Sequence, residues 1–312
     1  MSSNIDSTAM KATGFILSSV ISLWFAASLR AAVVTNDITI PGGSPSARMD
    51  VYQPEPERWP GLRPVVLMIH GGGWAIGDKA DKREQITGNA FAEKGLVVVS
   101  LNYDLFRYRD GPWKGGKIHE AWPRNLQDVA AALCWLKSVE ARSYGIDSGR
   151  VALLGYSAGA HLALMGAYAL DGNDAELRGN RPVADLPAVR AVISVYGTHD
   201  LRLFGANIFK RGDAGDEELL ARASPVTYLR KGLPPTLVMH GDKDVTISPE
   251  IARAFASRLG EAGVKYELVM APGRKHGFAL GAKEERECTG FALKFLDDNG
   301  ILPPAQPLHG DK

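Results

Sequence analysis

The stretch Val151-Ala152-Leu153-Leu154-Gly155-Tyr156-Ser157-Ala158-Gly159-Ala160-His161-Leu162-Ala163-Leu164 passes from a short apolar run to an alanine- and leucine-rich one across Gly-Tyr-Ser-Ala-Gly. The first run has the length of a buried strand and the second is a helix former. A serine at such a strand-to-helix turn adopts strained backbone angles, and glycines two before and two after it give strand and helix room to approach. Its hydroxyl then stands at a helix N-terminus, where free amides and the macrodipole favour developing negative charge. The pentapeptide alone is common; strand and helix on either side mark it as a nucleophile turn.

Outward from this turn, strand and helix signals alternate. Strands are predicted at 49–52, 65–69, 96–101, 150–154, 189–195, 236–240 and 266–270, and helices at 82–94, 125–138, 158–170, 249–262 and 283–299. This alternation predicts an α/β fold with a mainly parallel sheet covered by helices on both faces. Two connections, 102–123 and 196–235, exceed the usual length and are candidate binding elements at the C-terminal ends of the strands. The first holds Tyr103, Phe106, Tyr108, Trp113 and Trp122, and the second a short helix near 217–223.

Serine is a weak nucleophile near neutral pH, so an imidazole must take its proton and a carboxylate must orient that imidazole. Nucleophile turns of this kind use the chain order serine, acid, histidine. His161 lies one helical turn beyond Ser157 and reads as a packed helix histidine. His240 ends a strand too early to follow an acid, and His309 belongs to a Pro-rich tail. His276, in Pro272-Gly273-Arg274-Lys275-His276-Gly277-Phe278, follows the last strand in a glycine-flanked loop able to swing it over the sheet end. His240-Gly241-Asp242-Lys243-Asp244-Val245 supplies two aspartates after the preceding strand. Asp242 can cap the turn, and Asp244, further out, is favoured as the acid. Upstream, His70-Gly71-Gly72-Gly73-Trp74 follows the apolar run Val65-Val66-Leu67-Met68-Ile69. Successive glycines let backbone N–H groups converge without Cβ obstruction, as an oxyanion site requires. No Gly-Lys-Ser/Thr follows, which excludes a P-loop.

HGGGW, GYSAG, HGDKD and HGF, in this order, resemble the esterase/lipase branch of the α/β-hydrolases, nearest its hormone-sensitive-lipase-like and acetyl-xylan/feruloyl-esterase-like groups. The resemblance runs from about Pro64 to Leu296. It implies Ser157, Asp244 and His276 as the triad, the amides of Gly72, Gly73 and Ala158 as the oxyanion hole, and a small loop-built cap. Trp74 and Tyr156, beside these groups, are expected to border the substrate. Many relatives carry a second glycine at Ala160 and an aspartate at Tyr156, so the subgroup stays open. HGGGW is also similar to the motif of kynurenine formamidases, which perform acyl transfer on an amide. The expected activity is hydrolysis of small-molecule, short-chain carboxylic esters without a cofactor. An arylformamidase or an inactive hydrolase-fold binding protein is the alternative.

At 312 residues with 45% apolar content, the chain can build one large domain. Its 36 basic and 35 acidic residues include no basic run interleaved with aromatics, which argues against nucleic-acid binding. There is no CxxC, HExxH or Cys/His cluster, so no metal site is expected. Asp78-Lys79 reads as a local charge pair or helix cap. Residues 14–27 form an uncharged apolar stretch between Lys11 and Arg30. Lys11 before it and small residues after it describe a signal peptide within 1–32, leaving a catalytic domain at 33–312 that is exported and not stably inserted in a membrane. An uncleaved anchor is the alternative. The resemblance places Cys134 and Cys288 on helices covering opposite faces of the sheet, too far apart to bond, so both read as buried free thiols.

Overall fold

The computed structural model describes residues 32–108, 117–204, 209, 214–280 and 282–304. The signal peptide expected at 1–32 and Trp113 lie outside the described residues, apart from Ala32 itself. The strands are β1 (Val33–Thr39), β2 (Arg48–Gln53), β3 (Arg63–Ile69), β4 (Val97–Asn102), β5 (Arg107–Tyr108), β6 (Lys117–His119), β7 (Ile146–Tyr156), β8 (Val189–Val195), β9 (Thr236–Gly241) and β10 (Tyr266–Ala271). The helices are α1 (Lys82–Ala92), α2 (Arg124–Trp135), α3 (Val139–Ser143), α4 (Ala158–Tyr168), α5 (Leu201–Phe204), α6 (Asp216–Arg222), α7 (Pro249–Glu261) and α8 (Ala282–Asp298).

Eight strands form one sheet in the order β1-β2-β4-β3-β7-β8-β9-β10. The pairs β1–β2 and β2–β4 are antiparallel, and the six strands from β4 to β10 run parallel. Side-chain alternation divides the core between the two faces. Val65, Leu67 and Ile69 of β3 and Leu153 of β7 pack with Val129 and Leu133 of α2, Leu162 of α4 and Phe255 of α7. Val66, Met68, Ala152 and Leu154 point the other way, to Phe91 of α1 and Phe295 of α8. Every residue of β3 is buried, which explains why its sequence is an unbroken apolar run rather than an alternating one.

All seven expected strands and five expected helices are present, with three differences. The helix predicted at 125–138 stops at Trp135, because Ser138 accepts the Ala141 amide at 3.0 Å and caps the separate α3. The edge strand β1 was not expected, and the 102–123 connection contains the short hairpin β5–β6. Cys134 on α2 and Cys288 on α8 are free thiols, but only Cys288 is buried, Cys134 being half-buried, and these helices cover opposite faces of the sheet. Among the described residues no helix is long and apolar enough to cross a membrane.

Candidate active site

Ser157 follows β7 directly, with φ 52° and ψ −116°. That backbone state costs a non-glycine residue on the order of 1–3 kcal/mol and persists only where the surroundings enforce it. The Ser157 amide donates to the Val195 carbonyl at 2.9 Å, and the His161 amide donates to the Ser157 carbonyl at 3.2 Å. The flanking glycines are steric necessities. A Cβ on Gly155 would lie 2.1 Å from the Gly159 oxygen, and one on Gly159 would lie 2.1 Å from the Ile69 oxygen. The turn is therefore clamped against the end of β3, from which the glycine loop departs.

The Ser157 hydroxyl lies 2.9 Å from His276 Nε2, and His276 Nδ1 lies 2.8 Å from Asp244 Oδ2. The other Asp244 oxygen accepts the Thr246 and Ile247 amides at 2.8 and 2.9 Å. His240 Nε2 also stands 3.2 Å from Asp244 Oδ2. Burial pushes the Asp244 carboxyl up, but the hydrogen bonds from His240, His276 and the Ile247 amide outweigh it and hold the group well below the usual carboxylate range. An ionised Asp244 accepts from Nδ1–H, which leaves the Nε2 lone pair for the serine proton. The Asp244 side chain is fully buried, whereas that of His276 is 22% exposed. Asp242 lies apart from the imidazole. Its Oδ1 accepts the Gly273 amide at 2.6 Å and so fixes the turn that carries His276.

Beyond β3, Gly72, Gly73 and Trp74 all have positive φ, at 114°, 59° and 59°. The Gly72 carbonyl accepts the Ala75 and Ile76 amides at 3.1 Å each, and a Cβ on Gly72 would collide with the Ile76 oxygen at 2.0 Å. The Gly72 and Gly73 amides donate to no other described residue, and Ala158, as the first residue of α4, has an amide with no intrahelical acceptor. Below the loop, Tyr103 stacks on His70 with ring centroids 4.5 Å apart and donates its hydroxyl to the His70 carbonyl at 3.0 Å. Burial pulls the His70 imidazole down to about 4, and its Nδ1 lies 2.7 Å from the Gly71 carbonyl.

Trp74 and Tyr156 take up different places. The Trp74 indole stands beside the glycine loop, buried and packed ring to ring with Phe204, Phe209 and His161. Tyr156 does not border the site. As the last residue of β7 it points to the α1/α8 face, and its hydroxyl donates to Glu285 at 3.0 Å under the Arg83 guanidinium. Tyr103, Phe106 and Trp122 of the 102–123 connection are buried: Tyr103 and the Phe106 amide hold the glycine loop through the His70 and Trp74 carbonyls, and Trp122 packs against His161 and Phe209. Sequence reasoning missed Tyr196, whose ring meets that of His276 edge-on at 5.1 Å and whose hydroxyl accepts from Arg83 at 3.0 Å. Its only sequence signal is its place directly after a buried strand. Phe209, within 5.0 Å of Trp74 ring to ring, was missed as well. Among the described residues no group of three or more His, Cys, Asp or Glu could hold a metal.

A mainly parallel sheet with a serine on a strained turn after β7, an aspartate–histidine pair from the ends of β9 and β10 and a glycine loop beside them defines the α/β-hydrolase class. The BD-FAE family model matches residues 49–259, and the chain belongs to that family. It is 31% identical over 266 residues to esterase LipQ of Mycobacterium tuberculosis, a match covering 81% of this chain and 59% of that protein. The chain thus spans a little over half the length of the relatives it matches by sequence. Esterase Est2 of the planctomycete Thermogutta terrifontis, solved with bound propionate, superposes with a TM-score of 0.68 at 22% identity, over 89% of this chain and 98% of that one. A truncated carbohydrate esterase from gut microbiota gives a TM-score of 0.71 at 21% identity, over 88% of this chain and 99% of that one. These two likenesses establish the fold.

Proposed function

We propose that this protein is a serine hydrolase that cleaves small-molecule carboxylic esters through an acyl-enzyme on Ser157. The observation that carries this reading is the unbroken Ser157–His276–Asp244 hydrogen-bond series at the clamped turn. Ser157 Oγ attacks the acyl carbon as His276 Nε2 takes its proton, and the carbonyl electron pair moves onto oxygen, facing the Gly72, Gly73 and Ala158 amides. Collapse of the tetrahedral species breaks the bond to the alcohol oxygen, which leaves with the proton from His276. Water, deprotonated by His276, then attacks the acyl-enzyme, and the acid departs as Ser157 regains its proton. Asp244 keeps the imidazole in the required tautomer and offsets its charge.

The substrates are read as short-chain esters. The described cover consists of the short α5 and α6, and Trp74, Phe209 and Trp122 fill the space behind the glycine loop. That a protein of the same fold holds propionate supports the same reading. Export is part of the proposal, on the strength of the leader-like residues 14–27, and N-terminal sequencing of the mature protein tests it.

Turnover of p-nitrophenyl acetate by the wild type and by Ser157→Ala tests the chemistry. The variant is expected to keep its fold and lose roughly 10⁴–10⁶-fold in kcat; retention of more than about a tenth of the activity overturns the mechanism. In a series of p-nitrophenyl esters, kcat/KM is expected to peak between acetate and about hexanoate. A steady rise to the hexadecanoate ester overturns the short-chain reading.

A further inference from the structure

Trp74 directly follows the two glycines whose amides face the reacting carbonyl in the hydrolase reading, on which the following inference rests. At φ 59° it occupies a backbone region that a bulky residue keeps only when its surroundings impose it. Two hydrogen bonds do so. The Trp74 carbonyl accepts the Phe106 amide at 2.8 Å, and the indole Nε1–H donates to His161 Nδ1 at 3.2 Å. At the opposite edge of the imidazole, His161 Nε2 lies 2.7 Å from the Ala223 carbonyl, just past the end of α6. An indole N–H can only donate and a carbonyl can only accept, so both partners demand the same form of His161, with hydrogen on Nε2 and a lone pair on Nδ1. The residue is fully buried, and its own amide donates to the Ser157 carbonyl. One imidazole thereby joins the helix of the nucleophile, the glycine loop and the cover.

We infer that His161 is a positioning residue for the oxyanion site: by fixing the Trp74 indole it fixes the direction of the Gly72 and Gly73 amides relative to Ser157. A histidine that only fills space would tolerate or reject its two amide analogues alike. A positioning histidine distinguishes them, because the Asn oxygen overlays Nδ1 whereas the Gln amide reaches the place of Nε2. His161→Asn keeps the acceptor for Trp74; His161→Gln keeps only the donor to Ala223.

The test is steady-state hydrolysis of p-nitrophenyl acetate by the full chain. His161→Gln and Trp74→Phe are each expected to lower kcat roughly tenfold to hundredfold with KM changed less than about threefold, since misaimed oxyanion donors act on the transition state alone. The double variant should be little worse than either single one, because both remove the same hydrogen bond. His161→Asn should recover most of kcat. Equal losses for Asn and Gln, a kcat of His161→Gln within about threefold of wild type, or fully additive losses in the double variant overturn the inference. If His161→Gln does not fold, Trp74→Phe decides alone, and an unchanged kcat overturns it. Absence of Ser157-dependent turnover in the wild type removes the hydrolase reading and this inference with it, whereas turnover that survives His161→Gln removes only the inference.

Discussion

Asp242 and Asp244 stand two positions apart after the same strand, and their partners divide their roles. Asp244 Oδ2 meets His276 Nδ1, while Asp242 Oδ1 meets the Gly273 amide. Asp244→Asn should lower kcat by on the order of 10⁴-fold, because an amide can donate to Nδ1 and select the wrong tautomer. Asp242→Asn keeps an oxygen for Gly273 and should lose less than about tenfold, since only a neutral hydrogen bond replaces a charge-assisted one. Paired measurements of kcat at one pH check this, and the reverse ranking would move the acid to Asp242. The three residues of the hydrogen-bond series, Ser157, His276 and Asp244, were legible because each follows a strand end and carries a chemistry-bearing side chain. The expectation for Tyr156 failed for a reason the sequence also contained. Counting in twos from Ala152 and Leu154 puts Tyr156 on their face of the sheet, beneath the site and not in it. Proximity to Ser157 in sequence outweighed that period. His161 was read as a packed helix histidine, and its two hydrogen bonds depend on Trp74 and Ala223, distant in sequence, so no local pattern could reveal them.

At the level of elements, the glycines of the nucleophile turn determine how closely α4 approaches β3. Gly159→Ala brings a Cβ to 2.1 Å from the Ile69 oxygen and 2.4 Å from the His70 oxygen, and backbone cannot swing aside as a flexible side chain can. The end of β3 must shift, carrying the glycine loop with it. The expected cost is about 1–3 kcal/mol of stability together with a large loss of activity. Gly290→Ala, on the exposed side of α8 with no atom within 4 Å of the added Cβ, should instead stabilise by about 0.5–1 kcal/mol. Urea unfolding midpoints of the two variants check the contrast, and a neutral Gly159→Ala would show that the clamp is slack. The same scale explains which elements could be read in advance. Parallel strands buried on both faces leave apolar runs that stand out. β1 leaves none: it is an edge strand with mostly exposed side chains and a register shift around Asp37, whose φ is 59°. It exists through its pairing with β2 and the Lys79 bridge to Asp37 and Asp50, both at 2.9 Å. Asp78 and Lys79, read as a local charge pair, thus differ in reach: Lys79 ties two strands together.

Across the whole molecule, burial of imidazoles sets how stability depends on pH. His70 and His161 are each pulled from 6.5 down to about 4, chiefly by burial, and His199 is pulled well below 6.5 for the same reason. These groups stay neutral in the folded state while their unfolded counterparts take up protons below about pH 6.5, so acidification favours unfolding throughout that interval. Glu84 works in the opposite direction. Burial outweighs its Arg83 partner and raises it to about 6, so the folded chain binds that proton first and regains stability as pH falls from about 6 to 4.5. Asp128 and Glu285, also raised by burial, act with Glu84. Asp244, held low, contributes stability that is lost only in more acidic solution, below the ordinary carboxylate range. Between pH 7 and 5 the histidines dominate, since His70 and His161 each account for about 2 kcal/mol and Glu84 returns about 1. His199 acts in the same direction as the other two imidazoles, and Asp128 and Glu285 oppose them. Stability at pH 5 should therefore be lower than at pH 7 by roughly 2–4 kcal/mol, read as a drop in the urea midpoint at constant m. Because protonation of these imidazoles changes no covalent bond, this loss should be reversible on return to pH 7, with full recovery of the p-nitrophenyl acetate turnover that the proposed mechanism expects. A midpoint that holds steady or rises at pH 5 would mean that the buried carboxyls, and not the buried imidazoles, govern acid stability.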